Sequence, residues 1–477
     1  MTASGCLHSF GPLARCGMPK RIAIFGGSFN PPGNHHAAIA VRLAQDFDEV
    51  RVIPCGPRPD KPVTDSVPSV YRAALADIVF GGLPKVTVDL SDFEQETFTR
   101  NHELQRRFEA EGELWHVVGA DLVTGGAKGE SLIQRTWAQG LELWQQANFA
   151  VLKRPGYTMS EEDLPPHAQV IEHLVEGSST EIREYLIHGK CVRDLVPPRA
   201  EAYLARYGLY RAPVPGNWAR GTLEDAKFFL QADVDNPKVR ELSKLLDSGH
   251  VAAGEADFIN VIGGDGAMLR SIREHWRKRL PFFGVNAGHL GFLLNGLEQV
   301  TANSFPPSDV IFRQMPMLFL EFEDEEGRRH PAHGFNDSWL ERATSQSAWL
   351  EITVNNVRRI PKLVCDGALV ATAAGSTAYA RSMGAAPLLA DTPAWLLVGS
   401  NVLQPAHWRS ALLSPDTTVE IRNIDPKHRP VQAYVDGLSM GRVVALHARM
   451  SRAAAAELVF CASHDMAEKI AAIQFGA

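Results

Sequence analysis

Two glycine-rich strings leave apolar strands and enter helices. Gly26-Gly27-Ser28-Phe29-Asn30-Pro31-Pro32 follows the apolar run at 21–25 (RIAIF), and Gly263-Gly264-Asp265-Gly266 follows the run at 258–262 (FINVI). Glycines at a strand end let the backbone approach a ligand closely. The helix that follows offers unpaired N–H groups and a positive dipole end to phosphate. Both strings therefore predict phosphate handling. His36 stands at the start of the first helix. Asp265 stands where a general base or a metal partner is useful. Each string alone also suits a plain strand–turn–helix junction.

The elements that must position these residues follow from periodicity. Short apolar runs alternate with amphipathic stretches, which predicts an α/β architecture. Strands are expected at 21–25, 49–54, 114–118 and 149–153, with a helix at 36–47. The stretch 203–210 closes this half. A Pro/Gly-rich break at 211–218 follows, and a linker is expected over 212–222. Beyond it, strands are expected at 227–230, 258–262 and 281–285, and helices at 237–246 and 267–276. Short strands then dominate (317–322, 348–354, 418–422). The expected domains are a disordered tail at 1–18, a first domain at 19–211 and a second at 223–477. The second divides into an α/β part at about 223–300 and a mostly β part at about 301–460.

Composition narrows the partners. The 477-residue chain carries a formal net charge of −7, which argues against nucleic acid, whose backbone demands a basic face. Anionic substrates must be met by local sites. The six cysteines, at 6, 16, 55, 191, 365 and 461, include no C-x-x-C pair and read as reduced thiols of a cytoplasmic protein, with no protein metal site expected. No run of 18 apolar residues predicts a membrane span. The first 17 residues lack a signal-peptide core.

The string GGSFNPP does not stand alone. IPCGPRPDKP with Tyr71-Arg72, WHVVGAD (115–121), Trp137 with FAVLKRPG (149–156), and SSTEIR (178–183) follow in order. Together they resemble the nicotinate/nicotinamide mononucleotide adenylyltransferase family over nearly 190 residues. The resemblance implies a Rossmann-like nucleotidyltransferase fold. It implies attack by a pyridine mononucleotide 5′-phosphate on the α-phosphate of ATP, with pyrophosphate leaving, by positioning and charge neutralisation. By the family's pattern, His36 donates to the phosphates. Gly26, Gly27, Ser28, Phe29, Ser179, Thr180 and Arg183 surround ATP, and Lys61 adds charge. Asp121 and Trp137 shape the mononucleotide pocket, the indole stacking on the pyridine ring. Two departures stand out. The family's His-x-Gly-His reads Gly33-Asn34-His35-His36 here, so the first histidine is lost, and His35 replaces it only if the loop is rearranged. Adjacent histidines on a helix are expected to point about 100° apart, which disfavours a shared metal. Loss of one phosphate donor costs ~2–4 kcal/mol of transition-state stabilisation if an oxyanion-hole donor is a fair guide. The stretch 124–132 looks like an insertion.

The second string also has companions. GVNAGHLGFL (284–293), Asn336-Asp337, DGALVATAAGSTAYARS (366–382) and AYVDG (433–437) resemble the motifs of the NAD kinase family from about residue 225 onward. GGDG by itself recurs in lipid kinases and phosphofructokinase relatives. The resemblance implies transfer of the ATP γ-phosphoryl group to the 2′-hydroxyl of the adenosine ribose of NAD, with Mg²⁺ accompanying ATP. It implies Asp265 as the general base, a task for which a carboxylate near its normal pKa can serve because Mg²⁺ and positioning carry much of the work. Gly263, Gly264 and Gly266 approach the phosphates, and Asn336 and Asp337 bind the adenine and ribose side. Asp366, Thr377, Ala378, Tyr379 and Ser382 line the dinucleotide groove. Tyr379, read without the resemblance, belongs to core packing. Ala267, Asp337 and Ala373-Ala374 depart from the usual threonine, glutamate and Pro-Thr pair. The family also implies a homo-oligomer.

The expected protein is thus a bifunctional enzyme that makes a pyridine dinucleotide and phosphorylates it. Its small-molecule partners are ATP, NAD and a pyridine mononucleotide. The alternative keeps the kinase and makes the first domain a catalytically degenerate nucleotide-binding regulatory module.

Overall fold

The computed structural model describes residues 19–58, 67–153, 159–172, 176–211, 216–232, 235–246, 249–288, 291–300 and 305–475. Lys61 lies outside the described residues.

The first strand, β1 (Arg21–Gly27), buries Ile22 to Phe25, as a central parallel strand covered on both faces must. It pairs in parallel with β2 (Glu49–Pro54) and, on its other side, with β4 (Glu113–Gly119). With β3 (Val86–Val88), β5 (Asn148–Lys153) and β6 (Ala168–Glu172) the order is β3-β2-β1-β4-β5-β6, all parallel. This is the order of a dinucleotide-binding Rossmann sheet, whose ligands lie beyond the carboxyl ends of the strands where the order reverses. That switch point falls between β1 and β4. The loop after β1 leads into α1 (Asn34–Asp46) and the β2–β3 crossover carries α2 (Ser69–Phe80). The expected strands and helix of this half all form.

In the second half, the strands Phe228–Ala232, Phe258–Gly263 and Phe282–Asn286 run parallel. The last of them pairs in parallel with Ala445–Cys461, a 17-residue strand that also pairs antiparallel with Val310–Glu323 and Thr418–Asn423. The expected α/β and β-rich parts therefore share one continuous 10-stranded sheet, because the chain returns through a single long strand. A separate six-stranded antiparallel sheet faces it, and Leu320, Leu340, Val370 and Leu446 fill the core between. The overall α/β expectation, with a β-rich C-terminal region, holds.

The expected linker departs from the reading. Trp218–Gly221, at its end, is a strand paired with Val310 to Arg313. Ala219 is buried in a core that also holds Tyr71 and Ala453, so burial of one alternate residue fixes the strand.

The two halves meet along α2 and the long strand. Three buried carboxylates cross the seam. Asp77 receives Arg277 at 2.6 Å and Arg279 at 2.9 Å. Glu457 receives Arg206 at 2.7 Å and the Tyr207 hydroxyl at 2.6 Å. Glu94 receives Arg449 at 3.0 Å, the Ser451 hydroxyl and His333. An unpaired buried carboxylate costs several kcal/mol, so these pairings fix how the halves dock.

Candidate functional sites

The loop after β1 is held from three sides. The Arg72 guanidinium, 1% exposed, donates to the carbonyls of Ser28 (2.7 Å) and Cys55 (3.0 Å). Arg183 donates to the Asn30 carbonyl (2.5 Å) and to Thr180 Oγ1 (3.0 Å), and the Ser179 hydroxyl to the Pro31 carbonyl (2.8 Å). The Tyr210 hydroxyl donates to Asn30 Oδ1 (2.6 Å). The helix Ser179–Ile187 is thereby pinned over the loop, beside the exposed Gly26 and the partly exposed Gly27 and Ser28. The Phe29 side chain is core instead of binding surface. It lies 3% exposed, edge-on to Phe25 and Phe80.

The histidines also differ from the geometric expectation. Their ring centroids stand 3.8 Å apart. The reason is local. Both lie in the first turn of α1, and His36 folds back so that Nδ1 accepts the N–H of the capping Gly33 at 3.2 Å. A side chain at Gly33 would meet Ile182 Cδ1 at 2.7 Å and the Leu195 carbonyl at 2.8 Å, so the missing first histidine has no room in this loop.

Trp137 lines a cavity of about 490 Å³ with Arg58, Phe98, Arg100, Leu122 and Leu132. Leu132 shows that the expected insertion contributes a wall. Asp121 is exposed at the end of β4 and folds its carboxylate back over Gly119. Arg58 and Arg72 stand in the quoted motif strings without an assigned role, and Arg100 and Tyr210 lie outside them, because the polar residues of a loop look alike until the fold aims them.

In the second half, Gly264 caps the helix Asp265–His275. The Asp265 carboxylate accepts the N–H groups of Phe292 (3.0 Å) and Leu293 (2.9 Å). Lys469 fixes the same loop through the carbonyls of Gly291 (2.6 Å) and Leu294 (2.9 Å). Burial raises the Asp265 carboxyl above its ordinary range, although the two N–H groups and Lys469 oppose it. Desolvation thus outweighs the hydrogen bonds and the nearby cation at this carboxyl. Ala267, in place of a threonine, packs its methyl against Gly263.

Asn336 and Asp337 are organised by a residue outside the expected set. The buried carboxylate of Asp436 accepts the N–H groups of Phe335 (2.7 Å), Asn336 (2.8 Å) and Asp337 (3.1 Å). AYVDG flags the Asp436 turn, but nothing in the sequence says that it clamps a segment 100 residues earlier. Burial, then the neighbouring Asp436, pushes the Asp337 carboxyl up to about 7. The segment Ala374–Thr377 crosses this strand start so closely that only glycine fits at 375, against the Asn336 carbonyl. Thr372 binds the Phe335 carbonyl (2.7 Å). The Thr377 hydroxyl caps the Ala374 carbonyl (3.2 Å), and Ala378 ends the turn. Met268, Phe335 and Ala374 share one core, so the Asp265 helix and the Asn336 clamp are packed together.

Tyr379 and Ser382 rim a cavity of about 590 Å³ with Trp339, Asn401 and Arg409. Tyr379 is 55% exposed, which excludes core packing, and stands 5.5 Å from the Trp339 ring. Asp366 reaches this rim through Asn401 (2.7 Å) and is paired with Arg342 (2.7 Å).

Comparison with known proteins agrees with this division. A cytidylyltransferase-like family model matches residues 24–185, and the ATP-NAD kinase N-terminal domain model matches 217–303. The NAD kinase of Rickettsia akari is 32% identical over 238 residues, 50% of this chain and 92% of that protein. The NAD kinase of Brucella suis is 34% identical over 230 residues, 48% of this chain and 88% of that protein. Among solved structures, a yeast NADH kinase complexed with NADH superposes at a TM-score of 0.40 with 12% identity, covering 96% of this chain and 87% of that one. An Archaeoglobus fulgidus NAD kinase in complex with ATP gives 0.40 and 19%, covering 53% and 97%. The relatives align with the C-terminal half, and through that half the chain belongs to the NAD kinase family.

Proposed function

We propose that the chain forms a pyridine dinucleotide at its first site and phosphorylates NAD at its second. The observation that carries the kinase reading is the half-buried Asp265 carboxylate, fixed within GGDG at the start of the helix by the Phe292 and Leu293 N–H groups and made more basic by desolvation. It takes the proton of the ribose 2′-hydroxyl as O2′ bonds to the γ-phosphorus and ADP leaves. The Asn336-Asp337 turn holds the adenosine side, and the Trp339–Tyr379 rim holds the far end of the dinucleotide. Mg²⁺, a hard cation suited to oxygen donors, would enter with ATP. When bound with ATP, it neutralises charge on the transferring group.

The first reaction is supported by the Trp137 cavity, which combines a flat indole with Arg58 and Arg100 near the Rossmann switch point. A pyridine ring stacks on the indole and the arginines meet phosphate. His36, with Nδ1 occupied by the Gly33 N–H, presents Nε2–H as a donor. The fused kinase uses NAD, so nicotinamide mononucleotide is the favoured substrate. The rival reading, a regulatory nucleotide-binding module, draws on the lack of room for a histidine at 33.

Incubation with ATP, Mg²⁺ and either mononucleotide, with products separated and quantified, tests both. NAD followed by NADP supports the two activities. Added NAD converted to NADP, with no dinucleotide from either mononucleotide, leaves the regulatory reading. His36→Ala is expected to lower dinucleotide synthesis about 10²-fold with the kinase intact. Asp265→Asn is expected to abolish NADP formation while NAD still binds, and near-normal turnover would remove Asp265 as the base.

A further inference from the structure

The helix Met466–Phe475 follows the 17-residue strand Ala445–Cys461 and reaches the kinase site through one side chain. Lys469 is half-buried, and its ammonium donates to the carbonyls of Gly291 (2.6 Å) and Leu294 (2.9 Å). Between these two carbonyls stand Phe292 and Leu293, whose N–H groups hold the Asp265 carboxylate. One cation thus closes the turn on its carbonyl side, and one carboxylate closes it on its N–H side. The turn is anchored where it rejoins the sheet. Asn295, fully buried, donates to the carbonyls of Gly284 (3.0 Å) and Val459 (3.1 Å) and accepts the Cys461 N–H (2.8 Å). Asn295 therefore fixes the end of the turn, and Lys469 fixes the four residues before it. Lys469 stands outside the motif strings, the last of which ends at Gly437.

The same helix is tied to the other wall of the site. Arg381, within the Tyr379–Ser382 segment, donates to the Ile473 carbonyl at 3.1 Å, and Ile470 is buried. The helix thus holds its place independently of Lys469. Burial pulls the Lys469 ammonium below the ordinary lysine value, and the charges of Asp265 and Glu298 oppose that. The neighbouring His464, which Asp465 and Arg313 also face, is brought down to about 4 by burial and then by the Lys469 charge. That imidazole stays neutral at neutral pH, which leaves Lys469 as the cation that acts on Asp265.

We propose that Lys469 is a positioning residue of the phosphoryl transfer, holding the turn 291–294 so that the Phe292 and Leu293 N–H groups keep the Asp265 carboxylate in place to take the ribose proton. The inference rests on the kinase reading above, with Asp265 as the base.

The test follows NADP formation by the full chain with ATP, Mg²⁺ and varied NAD over a range of pH. Lys469→Met keeps the apolar stem and removes both hydrogen bonds and the charge. A displacement of about 1 Å in a reacting group costs about 10²-fold, so kcat is expected to fall about 10- to 100-fold while the KM for NAD stays within about threefold. The acid limb of kcat is expected to move to higher pH, because the carboxylate loses its nearby cation. Lys469→Arg restores donors and charge, and is expected to recover most of kcat and the limb of the unmodified chain. A purely structural lysine would move the melting temperature and leave the limb in place. Should Lys469→Met fail to fold, shown by loss of its cooperative melt, Lys469→Gln is expected to show the same shift of the limb with a smaller loss of kcat. Unchanged kcat and limb in whichever variant folds overturn the positioning role alone, as does a raised KM with kcat intact. No NADP from the unmodified chain overturns the kinase reading, and near-normal turnover in Asp265→Asn removes the base and the role of Lys469 with it.

Discussion

Replacing Glu94 with glutamine should loosen the seam by a predictable amount. Its carboxylate, 5% exposed, accepts from Arg449 at 3.0 Å, from His333 at 3.3 Å and from Ser451, with the Ala453 N–H at 3.3 Å. Burial alone would raise this carboxyl. The hydrogen bonds from His333 and Ser451, with the charges of His333 and Arg449, overcome burial and bring it from 4.5 to about 2. A shift of that size corresponds to about 3 kcal/mol at about 1.4 kcal/mol per unit. The folded-state value is depressed, so this stability is present above pH 4.5 and is lost as pH falls toward 2. The figure agrees with the roughly 3–5 kcal/mol lost when one partner of a buried pair is removed. Amide exchange of the peptide around Ala453 and Ala454 at neutral pH reads the seam directly. An opening free energy lower by about 3 kcal/mol makes exchange on the order of 100-fold faster in Glu94→Gln. Urea unfolding should show the difference between the two proteins shrinking from pH 5 to pH 2.5. Unchanged exchange, or the same acid sensitivity in both proteins, would refute the reasoning.

Two further outcomes follow from the kinase site. The Asp337 carboxyl is raised to about 7 by burial and by Asp436, so the protein should lose stability as pH rises from about 4 through 7. Asp337→Asn should remove that loss and be more stable than the parent at pH 8, by at most about 4 kcal/mol, with little difference at pH 4. Melting temperatures at the two pH values check this, and a pH-independent difference would contradict it. Gly375→Ala should push the Asn336 carbonyl aside, cost about 1–3 kcal/mol and raise the KM for NAD at least tenfold. Gly254→Ala, where nothing lies within 4 Å, is the control and should change neither. An unchanged KM in Gly375→Ala would separate that close approach from NAD binding.

Much of the fold was legible in the sequence because local rules dictate it. An apolar run such as Ile22 to Phe25 makes a buried parallel strand, and glycines after it open a loop before a helix. Those patterns placed β1, β2, α1, the strand Phe258–Gly263 and the helix that starts at Asp265. The same motifs delivered Trp137 to a cavity and Asp265 to a helix start. What local rules do not carry is burial. Phe29 is written inside a ligand loop, yet the sheet packs its ring into the core. Tyr379 reads as core, yet the antiparallel sheet leaves it on a rim.

Tertiary structure alone decided the rest, because it depends on residues far apart in the chain. Asp436 clamps Phe335 to Asp337 from about 100 residues away. Glu94 and Arg449 meet only after both halves have folded. The raised carboxyls of Asp265 and Asp337 arise from desolvation, which only packing sets. The sequence by itself determined which residue types stand at the strand ends and in which order. The packed structure determined which side chains face a cavity, which lose their water and which are held by a partner, since solvation and distance exist only once the chain is folded.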